Sequence, residues 1–351
     1  MEITWQDIYQ ALLIHKEIVV ATVVGHSGST PRTSGSKLLI DSDGCSRGTI
    51  GGGSVEADVI RAAQELFTEK RSVLKSYNLN NVSAVAEMDL ICGGRMQVLL
   101  EFISADDTTI ETYRRVDDLV SSGNSCLSVG RLVSEKDKGY LMVERSVLTG
   151  NESWAGSFDV PLELLRLLEL RSIDHLATSL FESGTQQYVV DVIIPPKTIY
   201  LIGAGHVARE IAPLAKRASF SPVVVDDRAA FANTERFPDA AKVVVCPEYS
   251  RVFDGLHVDD NSYVIIVTRG HSYDKEALAQ ALRTRAGYIG MIGSRKKRER
   301  IYKTLQVEGC DASQLDRVHC PIGLSINAET PFEIAVSIIA EIIQHRANSK
   351  R

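Results

Sequence analysis

The sequence predicts an α/β protein of two domains. A mixed α/β domain is expected over residues 1–194, and a doubly wound parallel sheet over 195–351. Three observations predict this. The 351 residues exceed one ordinary core. From Thr198 onward, short apolar strands alternate with helical runs. Pro195-Pro196 continues neither element and marks a boundary between this pattern and the less regular one before it.

Taken in order, Trp5, Ile8 and Leu12 have the spacing of a short first helix. Ile18 to Val24 is β-branched and apolar throughout, as a buried strand is, and Ser36 to Ile40 reads as a second. Asp41-Ser42-Asp43-Gly44 is a turn signal, so Cys45 to Ile50 returns antiparallel. Val55, Val59, Ile60, Ala63 and Phe67 fit a helix with one buried face, for which Ser54 is the expected N-cap. Gln97 to Ile103 is a further strand. Residues 105–194 hold helix-like runs (107–121, 161–170) and strand-like runs (127–133, 188–194) without a motif. In the second domain, strands are expected at 198–202, 222–225, 242–246, 263–268 and 288–292, with helices at 207–217, 272–283 and 294–308. Pro213 inside the first of these helices should kink or shorten it. Thr330-Pro331-Phe332-Glu333 opens the last helix as a capping box with proline at its first position.

Composition narrows the function classes. Apolar content of 44% and charged content of 24% are those of an ordinary soluble domain. The net charge, 39 − 45 = −6, gives no basic character of the kind that nucleic acid requires. There is no secretory leader and no apolar run of membrane length, so a cytoplasmic protein is expected. Six cysteines occur without a Cys-x-x-Cys pair, which argues against structural zinc and for free thiols.

The chemistry concentrates in glycine-rich turns. Gly51-Gly52-Gly53-Ser54 runs into a helix that carries Glu56 in its first turns. Glycine lets backbone approach a ligand closely, and a helix start offers free N–H groups and a positive dipole end, so an anion is favoured there. Gly203-Ala204-Gly205-His206 sits between a strand and a helix and matches the dinucleotide fingerprint with alanine in its third glycine position. Asp226, at the end of the next strand, stands where an acid would hold a ribose. A purely structural tight turn is the competing reading, and Arg228 keeps NADP open beside NAD. Gly293-Ser294-Arg295 opens a basic helix suited either to a second phosphate or to solvent. His271 is a candidate acid or base at the carboxyl end of a strand, against a bland role as a solvated residue beside a Ser272 cap. Cys92, followed by Gly93 and Gly94, is a candidate soft-metal ligand, against the simpler reading of a small buried hydrophobe.

With these residues in view, the chain resembles the XdhC/CoxI family, accessory proteins of xanthine dehydrogenase and related molybdenum hydroxylases. The N-terminal resemblance lies in Gly28-Ser29-Thr30-Pro31-Arg32, Gly51-Gly52-Gly53-Ser54-Val55-Glu56 and Cys92-Gly93-Gly94. The C-terminal part is similar to the family's Rossmann-like domain. It matches at Gly203–Ala208, at Phe231-Ala232 and Arg236-Phe237-Pro238, at Tyr288–Gly290 and Gly293–Arg295, and from Pro321–Leu324 to Thr330-Pro331. The chain departs where the family often carries a His or a Thr-His pair, at Arg269, and where it often carries glycine, at Asn327.

The resemblance implies a chaperone that binds the molybdenum cofactor, as molybdopterin or its dinucleotide, and delivers it to a xanthine dehydrogenase-type hydroxylase. A cysteine desulfurase is a further implied partner. Arg32, the first glycine loop and Cys92 would then face the cofactor. The Rossmann-like domain would take its nucleotide half or a separate NAD(P). An NAD(P)-dependent oxidoreductase using His271, or a fixed component of the hydroxylase complex, are the rival readings. A homodimer is the default assembly.

Overall fold

The first helix shows how locally this chain sets its boundaries. Thr4 and Asp7 exchange side-chain-to-backbone hydrogen bonds of 2.8 and 3.2 Å, and α1 (Trp5–His15) begins between them. The computed structural model describes residues 3–79, 93–134, 140–149, 152–169 and 178–348. It divides into two units, Met1–Pro195 and Pro196–Arg351.

In the first unit, β1 (Glu17–Gly28) is the centre of an antiparallel sheet. Its partners are β2 (Lys37–Asp41), β3 (Ser46–Gly48), β4 (Val73–Asn78) and β5 (Gly94–Ser104), in the order β3-β2-β1-β5-β4. The apolar run in β1 is continuous because both of its faces are covered. Val19, Ala21 and Val23 pack on α2 (Gly53–Glu69) through Val55, Val59 and Ala63. Ile18 and Val20 pack with Trp5 and Leu12 of α1 and with Tyr113 and Val116 of α3 (Asp107–Ser121). Asp106 caps α3 by accepting from Thr109 N at 2.8 Å.

The segment without a sequence motif forms a second antiparallel sheet. Its strands are β6 (Cys126–Ser134), β7 (Leu141–Thr149), β8 (Glu152–Gly156), β9 (Ser179–Ser183) and β10 (Gln186–Ile193), in the order β8-β7-β6-β10-β9. A further helix, α4 (Leu162–Glu169), lies between β8 and β9. Leu132 and Val189 of this sheet pack on Val24 and Leu99 of the first. Between the sheets lies a buried set of charges. Lys37 Nζ meets Asp191 at 2.8 Å, while Arg145 meets Asp191 at 3.2 Å and donates from Nε to Glu101 at 2.7 Å. Each of these four side chains is at most 8% exposed. Burial opposes ionisation of Asp191, but Lys37 and Arg145 outweigh it and hold the carboxyl below its ordinary value.

The second unit is a six-stranded sheet with every pairing parallel. Its strands are β11 (Thr198–Ile202), β12 (Ser221–Asp226), β13 (Lys242–Val245), β14 (Ser262–Ile266), β15 (Tyr288–Met291) and β16 (Val318–His319). The order β13-β12-β11-β14-β15-β16 is the 3-2-1-4-5-6 order of a doubly wound dinucleotide fold, with its switch point between β11 and β14. One face is covered by α5 (His206–Arg217) and, through Ala335, Ile338 and Ile342, by the C-terminal helix. The other carries α6 (His271–Ala281) and α7 (Arg295–Val307). A single turn, α8 (Ala312–Leu315), precedes β16, and α9 (Pro331–Asn348) is the C-terminal helix with its capping box formed.

Three expectations change. Ser54 lies inside α2, whose N-cap is Gly52 at φ 75°; glycine accepts this angle, and the loop is closed by Glu56 instead of by a serine cap. The cap of α6 is Gly270, not Ser272, so His271 becomes the first helical residue. Pro213 does not shorten α5, which runs on to Arg217. Its ring borders a surface cleft of about 300 Å³ with Phe237 and Pro238, and the hydrogen bond it cannot make is to the carbonyl of exposed Arg209. Asn327 adopts φ 55°, a left-handed angle that asparagine tolerates better than most residues, so the backbone keeps the geometry expected of a glycine there.

Candidate functional site

Pairing of β1 with β5 sets Gly28 opposite Gly94, and Ser29 N donates to Gly93 O at 3.1 Å. The approach is so close that a Cβ on Gly94 would lie 2.5 Å from Ser27 O and 2.6 Å from Ser29 O. On its other side, the 28–32 turn packs on the glycine loop, where a Cβ on Gly51 would lie 2.6 Å from Pro31 Cγ. The structure thus brings Gly28–Arg32, Gly51–Glu56 and Gly93-Gly94 together. Cys92 lies outside the described residues.

Glu56 determines what this loop can bind. Its Oε2 accepts from Thr49 Oγ1 at 2.7 Å, Gly52 N at 3.0 Å and Ile50 N at 3.1 Å. Gly51 N donates to Thr49 Oγ1 at 3.0 Å. The loop amides expected to cradle a phosphate are therefore already spent on the chain's own carboxylate. What stays open is the start of α2, where Gly53, Ser54 and Val55 have no intrahelical acceptor and no side chain caps them. Ser54 Oγ is buried without a hydrogen bond. Arg32 is exposed and has no ion pair among the described residues. A Cβ on Gly52 meets nothing within 4 Å, so space is free above the helix start.

In the second unit the turn after β11 is similarly braced. Gly203 N donates to Val225 O at 2.7 Å, and Ala204 N donates to Asp226 Oδ2 at 2.8 Å. Gly203 has φ 113° and admits no side chain, because a Cβ would lie 2.6 Å from Val267 O. Gly205 has an ordinary φ of −75° and open space where its Cβ would be. The first glycine is needed for packing, and the second leaves room for a ligand.

Asp226 is 1% exposed and receives Arg228 through N, Nε and Nη2 at 2.8–3.0 Å. Burial opposes its ionisation, but the Arg228 side chain and the backbone amides hold the carboxyl below its ordinary value. Both of its oxygens are engaged by the chain, so the expected ribose acceptor is spent. Its neighbour Asp227 accepts from Arg269 at 2.7 Å through Oδ2, while its Oδ1 is buried without a hydrogen bond. Asp227 follows β12 and Arg269 follows β14, so this pair spans the strand between them, β11, beside its glycine turn. Sequence reasoning missed Asp227; the signal available was the doubled Asp226-Asp227.

His206 and His271 are exposed first residues of α5 and α6, helices that start from neighbouring strands with glycine N-caps and no side-chain cap. The basic run at α7 is half consumed. Lys297 pairs with wholly buried Asp274, which also accepts from Thr268 Oγ1 at 2.8 Å, and Arg298 donates to Cys320 O at 3.0 Å. Ser294 caps α7, accepting from Lys297 N at 3.2 Å, which leaves Arg295 and Lys296 exposed.

Among the described residues, His15, Asp41 and Asp43 bring three potential metal donors together. Asp41 Oδ1 is already the acceptor for Asp43 N and Cys45 N in the β2–β3 turn. Burial pushes the thiols of Cys246 and Cys320 up to about 11, so neither is a ready ligand or nucleophile. No described helix is long and apolar enough to cross a membrane.

These features define a two-unit protein: an antiparallel α/β unit built around a self-braced glycine loop, and a Rossmann-type unit with an open glycine turn after its first strand. Residues 14–78 match the XdhC and CoxI family, and residues 199–342 match the XdhC Rossmann domain. The chain belongs to the XdhC/CoxI family. It is 28% identical over 333 residues to a Bacillus subtilis 168 protein named as a probable subunit of xanthine dehydrogenase, covering 94% of each chain. Over 151 residues it is 33% identical to the uncharacterised Escherichia coli K12 protein YqeB, covering 43% of this chain and 28% of that one. A crystal structure described as a xanthine dehydrogenase from Bacillus halodurans superimposes with a TM-score of 0.79 at 26% identity, covering 99% of this chain and 96% of the other.

Proposed function

We propose that this protein is an accessory factor of a xanthine dehydrogenase, which binds the molybdenum cofactor as cargo at the first glycine loop and hands it to the hydroxylase. The relatives named for xanthine dehydrogenase support the accessory role. One observation carries the cargo site: three separate glycine motifs converge on an uncapped helix start beside the exposed Arg32. The phosphate of the pterin is an anion of the kind such a start accepts. Because Glu56 fills the loop itself, the donors left for it are the amides of Gly53 to Val55, together with Arg32, whose Cγ lies 3.7 Å from where a Cβ on Gly51 would be.

Molybdenum cofactor released from a purified molybdoenzyme and added to the apo-protein tests this reading by calorimetry and by metal content after gel filtration. Retention by the wild type and a loss of about tenfold or more in affinity in Arg32→Glu are expected. Equal affinity in the two proteins places the cargo elsewhere.

A second ligand, NAD(P) or the nucleotide half of a dinucleotide cofactor, is favoured at the Rossmann unit by the open space at Gly205 beside the uncapped start of α5. Gly205→Val removes that space without a strained φ. Nucleotide binding that survives this change excludes the turn as the site. Turnover lost in His271→Ala would favour an oxidoreductase instead of a carrier.

A further inference from the structure

β1 ends in His26-Ser27-Gly28, and His26 ties that strand to the segment that carries Arg32. Its Nδ1 accepts from the backbone N–H of Ser34 at 3.2 Å, and the Ser34 hydroxyl lies 3.0 Å from the same nitrogen. A backbone amide can only donate. Nδ1 must therefore present a lone pair, and the neutral ring must carry its proton on Nε2. The 31–36 segment is otherwise held at its far end, where Gly35 N donates to Val23 O at 2.8 Å and Val23 N donates to Ser36 O at 2.9 Å. At its near end Pro31 rests on Gly51, and Thr30 Oγ1 donates to Arg32 O at 2.9 Å. The imidazole is the side-chain anchor of the stretch between.

We propose that His26 is the positioning residue for Arg32. Its neutral ring fixes the segment against β1, and protonation releases it. A second proton at Nδ1 sets two donors against each other; the Ser34 hydroxyl can turn to accept, but the Ser34 amide cannot. Histidine is the side chain that changes charge between about pH 5 and 8. Met96 stands opposite His26 on β5, flanked by Arg95 and Gln97. The other charged side chains on neighbouring stretches are Arg32 itself, Lys37, which is buried against Asp191, and Glu182 on β9, which accepts from Gln187. The Glu56 carboxylate is turned into the glycine loop. Among the described residues, none of these forms an ion pair with the ring. The consequence for binding rests on the cargo site proposed above: affinity at the first glycine loop should fall as the solution is acidified.

The test uses the full-length protein and His26→Asn, whose side-chain oxygen stands near the place of Nδ1 and accepts from the same amide without titrating. Amide hydrogen exchange of a peptide containing Ser34 is compared at about pH 8 and 5.5, after correction for intrinsic exchange. Loss of one anchoring bond predicts about a tenfold fall in protection in the wild type and none in His26→Asn. Equal protection at both pH values, or an equal fall in both proteins, overturns the tie. Affinity for released molybdenum cofactor is then measured at the same two pH values. A fall of about tenfold confined to the wild type supports the positioning of Arg32. A segment that loosens while affinity stays constant overturns it. Absence of cofactor binding at either pH sinks the cargo site alone, since the exchange result stands without ligand.

Discussion

Both glycine loops are braced by an internal carboxylate, but the two carboxylates are left in different electrical states. Asp226 holds the turn of the second unit and is neutralised by Arg228, which reaches it through two side-chain nitrogens. Glu56 holds the loop of the first unit through three donors and has no cation partner among the described residues. A phosphate approaching the first loop meets an uncompensated negative charge, offset only by the helix start and Arg32. One approaching the second meets a turn already balanced. A glycine-rich sequence therefore does not by itself define an anion site; what matters is which amides the chain keeps for itself and at what charge.

The cores of the two units contrast in the same way, and the largest expected effect lies there. The first unit buries two cations and two carboxylates between its sheets, whereas the second packs apolar residues on both faces of its sheet and keeps its buried carboxylates, Asp226 and Asp274, at the end of β12 and in the first turn of α6. Asp191→Ala leaves Lys37 and Arg145 short of a counter-charge and should cost about 3–5 kcal/mol in urea unfolding. Trp5 is buried in the core of the first unit, so its fluorescence reports that transition. Since the Asp191 carboxyl is held low in the folded state, the unfolded chain binds more protons between the folded value and the ordinary value of about 3.9. Its contribution is full above that window and is lost as the pH falls through the folded value. The acid limb of the unfolding midpoint should be shallower in Asp191→Asn.

A smaller effect separates the two glycines of the second turn. Gly203→Ala should cost roughly 2–3 kcal/mol, because it combines an unfavourable φ with a clash against Val267. Gly205→Ala should cost less than about 1 kcal/mol and appear in nucleotide affinity instead. Equal losses of stability would erase the distinction between a packing glycine and a ligand-facing one. Glu56→Gln is expected to cost about 1 kcal/mol, with faster exchange at the Ile50 and Gly52 amides. If its negative charge opposes the cargo, this variant should bind cofactor more tightly than the wild type, opposite in sign to Arg32→Glu.

Much of the fold was legible because buried parallel strands are continuous apolar runs and capped helices carry their own ends. Thr198–Ile202 and the helix after Asp106 are read directly in this way. β7 is not, because Arg145 in its middle looks solvent-facing until Glu101 and Asp191 are placed around it by other strands. β16 has only two residues and no pattern to read. At the candidate site, the glycine motifs were visible one by one. Their convergence depends on the pairing of Gly28 with Gly94, and the engagement of Glu56 and Asp226 depends on how each loop closes. Neither is encoded in local spacing.

The protonated thiols of Cys246 and Cys320 bear on the traffic of sulfur. With values of about 11, only about one molecule in ten thousand carries either thiolate at neutral pH. Disulfide exchange and persulfide transfer both begin with a thiolate, so these two positions stay out of such reactions. Cys126, buried and likewise pushed up to about 11, shares this state, which leaves thiol exchange to the chain's other cysteines.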